Sequence, residues 1–276
     1  MKTIVLTGAS DGVGAQAALQ LAQQGHRLLL VGRTEAKLAA VSAKANLSEY
    51  FVADYEKLDD VHRLANEITG ATDHIDVLVN NAGGVFPGPV ITPDGFERTF
   101  QVNYLAGFLL THELMELLLA SQAAVINTAS VAAKAFGRID LADFDGRDRF
   151  KSMRAYGSGK LADVLHARGL HARYHQRGLA AMAFHPGNVA TNFAADFSGG
   201  IGLVYKSPLK HLLISATQGG ANLAYFAAGT PGETWVSDEY YHSNRRGART
   251  HDQAYDSELI RQFWDLTNDR LGLTDI

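Results

Sequence analysis

The stretch AYGSGKLADVL, Ala155 to Leu165, sets a phenol and an ammonium, Tyr156 and Lys160, one turn apart on the same face of an expected helix. A phenol ionises near ~10, too high for ready proton exchange at neutrality, but a neighbouring cation favours the phenolate. Such a pair can act as general acid and base. Gly157 and Gly159 stand beside it. Each glycine costs a helix interior ~1 kcal/mol relative to alanine, so a close neighbour should offset them. Packing against another element or a bound ligand would supply it.

A second stretch, TGASDGVG from Thr7 to Gly14, follows an apolar run and opens a helical period. Glycines at 8, 12 and 14 permit a tight strand-to-helix turn. They let a pyrophosphate approach free N–H groups and the positive end of the helix dipole. Gly8, Ser10, Gly12, Val13 and Gly14 are therefore expected to bind a dinucleotide. The next apolar run ends at Arg33 in LLLVGRTEAKL. An arginine there suits the 2′-phosphate of NADP, where an acid would suit the free 2′-hydroxyl of NAD. NADP(H) is accordingly favoured over NAD(H), although Asp11 adds negative charge close to that phosphate's place.

The elements that would position these groups alternate regularly. TIVLT precedes a helical period from Val13 to Gln24, RLLLV precedes Glu35 to Ala45, YFVA precedes Lys57 to Thr69, and DVLVN precedes Gly95 to Ala120. AAVINT, the helix of Tyr156, LAAMAF, and helical segments over Ala216–Ala228 and Ser257–Leu271 follow. Strands separated by helices imply a parallel sheet covered on both faces. Gly25 and Gly178 stand where helices should stop. No repeat or linker interrupts the pattern, so residues 1–276 are read as one domain. Val131–Arg149 and Gly187–Pro208 are the long irregular stretches.

Composition narrows the function. The chain has 276 residues, 46% hydrophobic, with a net charge of −4 and mixed signs throughout. That is core enough for a domain and offers no basic block for nucleic acid. Without cysteine there is neither a disulfide framework nor a thiolate metal site or nucleophile, so redox chemistry must come from a cofactor. The N-terminus lacks a secretory pattern and no apolar run approaches the ~20 residues of a membrane span. A cytoplasmic location is expected.

TGASDGVG, NNAG at Asn80–Gly83, the serine of INTAS, and YGSGK together resemble the short-chain dehydrogenase/reductase family along nearly the whole chain. DGFERTFQVNYLAGFLLT, GRIDLADF and HPGNVATNF are most similar to its retinol-dehydrogenase-like branch of carbonyl reductases. The resemblance implies a single-domain Rossmann fold, a doubly wound parallel sheet of about seven strands. It also implies four catalytic positions: Asn103, Ser130, Tyr156 and Lys160. Tyr156 would donate the proton to a carbonyl oxygen that gains negative charge, and Ser130 would orient that oxygen. Lys160 would also hold the nicotinamide ribose, and Asn103 a water relaying protons to Lys160. Asp54 and Tyr55 match adenine contacts, and Asn81, Ala82 and Gly83 a turn against the ribose. Pro186, Gly187, Val189 and Thr191 match a loop near the nicotinamide. His185 reads as structural, and Thr128 as a second-choice hydroxyl. Gly159 departs from the family's usual serine.

Phe193, Phe197, Ile201, Leu203, Val204 and Tyr205 lie between glycines in the 187–208 stretch, which suits a lid over an apolar ligand. A helix packing those residues into the core is the alternative. The expected activity is NADP(H)-dependent interconversion of a hydrophobic aldehyde or ketone with its alcohol. A redox-sensing dinucleotide-binding protein is a competing reading, as is a double-bond reductase of the same family; the absence of cysteine argues against the latter. The resemblance implies a homodimer or homotetramer paired through the helices over Gly95–Ala120 and Ser152–Gln176, with a monomer as the alternative.

Overall fold

Strands β1 (Thr3–Thr7), β2 (Arg27–Gly32), β3 (Glu49–Val52), β4 (Val77–Asn80), β5 (Ala124–Thr128), β6 (Ala180–Phe184) and β7 (Tyr240–Tyr241) form a parallel sheet in the order β3-β2-β1-β4-β5-β6-β7. The computed structural model describes residues 1–187 and 214–274. Val189, Thr191 and the apolar residues of the expected lid lie outside them.

Both faces of the sheet are covered, which is why its strands read as continuous apolar runs. Val5, Leu29, Leu78 and Val125 point into a core shared with α3 (Leu58–Ala71), α5 (Ala106–Glu113), α8 (Ser152–Tyr174) and α10 (Ser257–Leu271). Their neighbours Ile4, Leu6, Leu30, Val79 and Ile126 point the other way, against α1 (Gly12–Gln23), α2 (Glu35–Lys44) and α9 (Ala216–Ala228). The strand order reverses between β1 and β4. Ligands of such sheets sit in the crevice beyond the carboxyl ends at that point.

Those carboxyl ends are tied together. Thr7 Oγ1 accepts the N–H groups of Asn81 (2.9 Å) and Ala82 (3.1 Å) and donates to the Val79 carbonyl. Asn81 Nδ2 donates to the Thr7 carbonyl at 2.9 Å, and its Oδ1 accepts from Thr128 Oγ1 at 3.2 Å. Thr128, the second-choice catalytic hydroxyl, is thus used to join β5 to β4.

Two sequence expectations need correction. The period from Gly95 to Ala120 is not one helix. Gly95 has φ +84°, outside the helical region, and α4 begins only at Arg98 (Arg98–Phe100). A π-helical turn, Gln101–Leu105, then leads into α5, and Leu114 breaks the path before α6 (Met115–Ala120). The irregular stretch after β5 contains a short helix, α7 (Ala132–Phe136), ended by Gly137. Among the described residues no helix is long and apolar enough to cross a membrane.

Candidate active site

Helix α8 is buried on almost every side and carries Tyr156, Lys160 and Asp163. Lys160 Nζ donates to the Thr128 carbonyl at 2.9 Å and to Asp163 Oδ2 at 3.0 Å, with the two side chains only 4% and 6% exposed. The Tyr156 ring centroid is 5.9 Å from the same Nζ. The expected pair is therefore brought together with its cation fixed to the end of β5. Burial pushes the Asp163 carboxyl up, to about 7, while the Lys160 charge pulls it down.

Asn103 sits in the π-helical turn, a distortion often found at functional sites. Its Nδ2 donates to the carbonyls of Gly84 (2.8 Å) and Thr99 (2.7 Å), and its Oδ1 accepts the Gly84 N–H (3.0 Å). Both amide protons are committed to main chain, and the amide oxygen holds the Gly84 N–H, so Asn103 fixes the Gly83–Gly84 loop. A Cβ on Gly83 would come within 2.5 Å of Asn103 Oδ1 and 3.0 Å of Lys160 Nζ. Only glycine leaves that approach open.

Of the two benefits expected for the helical glycines, packing is the one the structure shows. A Cβ on Gly157 would lie 2.7 Å from the Ala132 carbonyl oxygen and 2.8 Å from Gly137 N, and one on Gly159 would lie 3.0 Å from Asn103 Cβ. These glycines admit α7 and the π turn. Ser130, two residues past β5, is drawn into the same packing, because its Oγ accepts the Ala132 N–H at 3.2 Å.

The other end of the crevice is more open. Gly8 and Gly12 have φ of +67° and +55°, and a Cβ on Gly14 would lie 2.2 Å from the Gly8 carbonyl oxygen. The turn is possible for glycine alone at these points. Asp11 caps α1 by accepting the Gly12 N–H at 2.8 Å, and Lys37 neutralises it at 2.7 Å. The charge that weighed against a 2′-phosphate is thus already paired. A cavity of about 270 Å³ lined by Ser10, Asp11, Gln16, Leu19, Lys37 and Lys44 lies there. Arg33, 63% exposed, stands 3.7 Å from Glu56. Asp54 is half-buried in a turn, its Oδ1 accepting the Glu56 N–H. Tyr55 faces the core, so its ring is not offered to an adenine.

Beyond β6, the Pro186 carbonyl accepts from Asn222 Nδ2 at 3.1 Å and Gly187 has φ +116°. His185 is buried, and burial pushes its imidazole down to about 4, in keeping with a structural role. Lys37 and Asp163 escaped the sequence reading. Their signals were there: Lys37 four residues beyond Arg33, and Asp163 three beyond Lys160 on one helix.

The short chain dehydrogenase family profile matches residues 2–200. The chain is 34% identical to DnrU of Streptomyces sp. (strain C5), a candidate daunorubicin C-13 ketoreductase, over 99% of this chain and 93% of that one. It is 31% identical to human retinol dehydrogenase 13, over 99% and 85%. A candidate short chain dehydrogenase from Escherichia coli CFT073, solved with NADPH, superposes with a TM-score of 0.65 at 26% identity, covering 88% of this chain and 96% of that one. The open glycine turn, the buried Tyr156–Lys160 pair and these relatives agree: the chain belongs to the short-chain dehydrogenase/reductase family, in its retinol-dehydrogenase-like branch, and is an NAD(P)-dependent oxidoreductase of CH–OH and C=O groups.

Proposed function

We propose that the protein interconverts a hydrophobic aldehyde or ketone and its alcohol with NADP(H), Tyr156 serving as general acid and base. One observation carries the reading: the ammonium of Lys160, buried and anchored to β5, lies 5.9 Å from the Tyr156 ring centroid. In that position it stabilises a phenolate, so Tyr156 can release a proton to the oxygen of a reduced carbonyl and recover one afterwards. Ser130, just beyond the strand end to which Lys160 is tied, supplies a hydroxyl for the same oxygen. The glycine turn at 8–14 and the Gly83 main chain beside Lys160 fit a dinucleotide, whose nicotinamide supplies or accepts the hydride.

Arg33, 63% exposed, and Lys37, 55% exposed, would hold the 2′-phosphate of NADP. The ketoreductase and retinol dehydrogenase names of the relatives support an apolar carbonyl substrate.

The test follows NADPH and NADH consumption over retinal and a panel of apolar and polar aldehydes and ketones. Turnover should favour NADPH and apolar compounds. Tyr156→Phe should cut it by about 10²–10⁴-fold, the scale of general acid–base catalysis, with NADPH affinity nearly unchanged. Full activity in Tyr156→Phe would remove this residue from the reaction.

A further inference from the structure

The acid behind Lys160 has no part in the chemistry so far. The Asp163 side chain is 6% exposed, and its Oδ2 is 3.0 Å from Nζ. Carboxylates are seldom buried without need, because desolvation can exceed the gain from pairing. Here the backbone holds the residue in place as well. The Asp163 carbonyl accepts from Asn127 Nδ2 at 2.9 Å, and Asn127 Oδ1 accepts from Asn80 Nδ2 at 3.0 Å.

Resting on the Tyr156 reading above, we infer that Asp163 is a positioning residue for the reaction: its carboxylate seats Lys160 and offsets part of the ammonium's charge, so the pair sets the pH at which Tyr156 acts as a base. The ammonium favours a phenolate. A carboxylate at 3.0 Å opposes it, since its own field falls on the same phenol.

The surrounding groups leave this pair in control. On α8, burial pushes the His166 imidazole down to about 3, so it is neutral above acid pH. From the π turn, Tyr104 faces Asp163 with its phenol pushed up by burial, against the opposing pull of its hydrogen bond with Thr267 of α10. From β7, Tyr240 faces Tyr156 and is likewise pushed up. β5 presents Asn127 and Thr128, and α10 presents Trp264 against His166. Burial pushes the Asp163 carboxyl up, and the Lys160 ammonium at 3.0 Å pulls it back down.

The experiment needs no substrate. Phenolate absorbance in the near ultraviolet is followed against pH in the full-length protein, and subtracting the same trace from Tyr156→Phe isolates the Tyr156 step. In Asp163→Asn, which keeps size and an acceptor for Nζ, that step should move to lower pH by about half a unit or more. Asp163→Ser, a second variant, should move it the same way; circular dichroism identifies which variants are folded. The pH limb for alcohol oxidation with NADP⁺, run on the best alcohol from the panel, should follow. A Tyr156 step that stays put, or moves up, in a folded variant overturns the inference. If Tyr156→Phe is fully active the catalytic reading fails instead, so the two failures are distinguishable.

Discussion

The two ends of the crevice are built on opposite principles. Around α8 the charges are enclosed: Lys160 and Asp163 are 4% and 6% exposed, and Asn103 is committed to main chain on both sides. Around α1 and α2 they are in water: Asp11 and Lys37 are each 55% exposed, and Arg33 63%. Buried groups act strongly and cannot reorganise, which suits a proton that must move at a fixed geometry. Exposed pairs are worth about 0–1 kcal/mol, so they exchange partners at little cost when a phosphate arrives. On the proposed reading, the difference separates where the protein does chemistry from where it holds a ligand.

The largest effect should come from breaking the enclosed end at its centre. Lys160→Met removes the cation beside Tyr156 and strands Asp163. Turnover should fall by about 10²-fold or more, and stability in denaturant by about 3–5 kcal/mol, the cost of halving a buried ion pair. A stable, active Lys160→Met would mean the two ends do not differ in kind.

Acid should also strike the enclosed half first. His166 and His185 are pushed down by burial to about 3 and about 4, against the ordinary 6.5. The unfolded chain binds protons that the folded one refuses, so their contribution is complete above about 6.5 and lost as pH falls towards the folded values. The slope approaches about 1.4 kcal/mol per pH unit for each. Unfolding free energy measured from pH 7 to 4 should show it, and His166→Phe should flatten it.

A subtler break is steric. Gly157→Ala drives a methyl to 2.7 Å from the Ala132 carbonyl and should cost about 1–3 kcal/mol of stability, read from the melting curve, with a fall in turnover as Tyr156 and Ser130 shift. At the exposed end, Arg33→Ala should weaken NADPH binding by about 10-fold, leave NADH binding alone and barely move the melting temperature. Fluorescence titration of both nucleotides checks this. Equal loss for NADH would show that Arg33 does not read the 2′-phosphate.

Much of this was legible in the chain. The glycine turn between an apolar run and a helix, Arg33 at the end of β2, and Tyr156 with Lys160 one turn apart are local patterns. The boundaries of α4 to α6 were not legible, because apolar residues continue through the π turn at Gln101–Leu105 and past the break at Leu114. Which neighbour Gly157 admits was not legible for a related cause: a gap in a helix says that something lies close, not what it is.

The sequence by itself determined the alternation of strands and helices, the turn at Gly8–Gly14 and the pairing of Tyr156 with Lys160, since each depends on residues within a turn or two of one another. Tertiary structure alone decided that Lys160 is anchored to Thr128, 32 residues away, that Asn103 fixes Gly84, and that Asp11 is answered by Lys37. Those contacts join separate elements. Which elements meet is settled by how two apolar faces of one sheet are covered, and no local spacing records it.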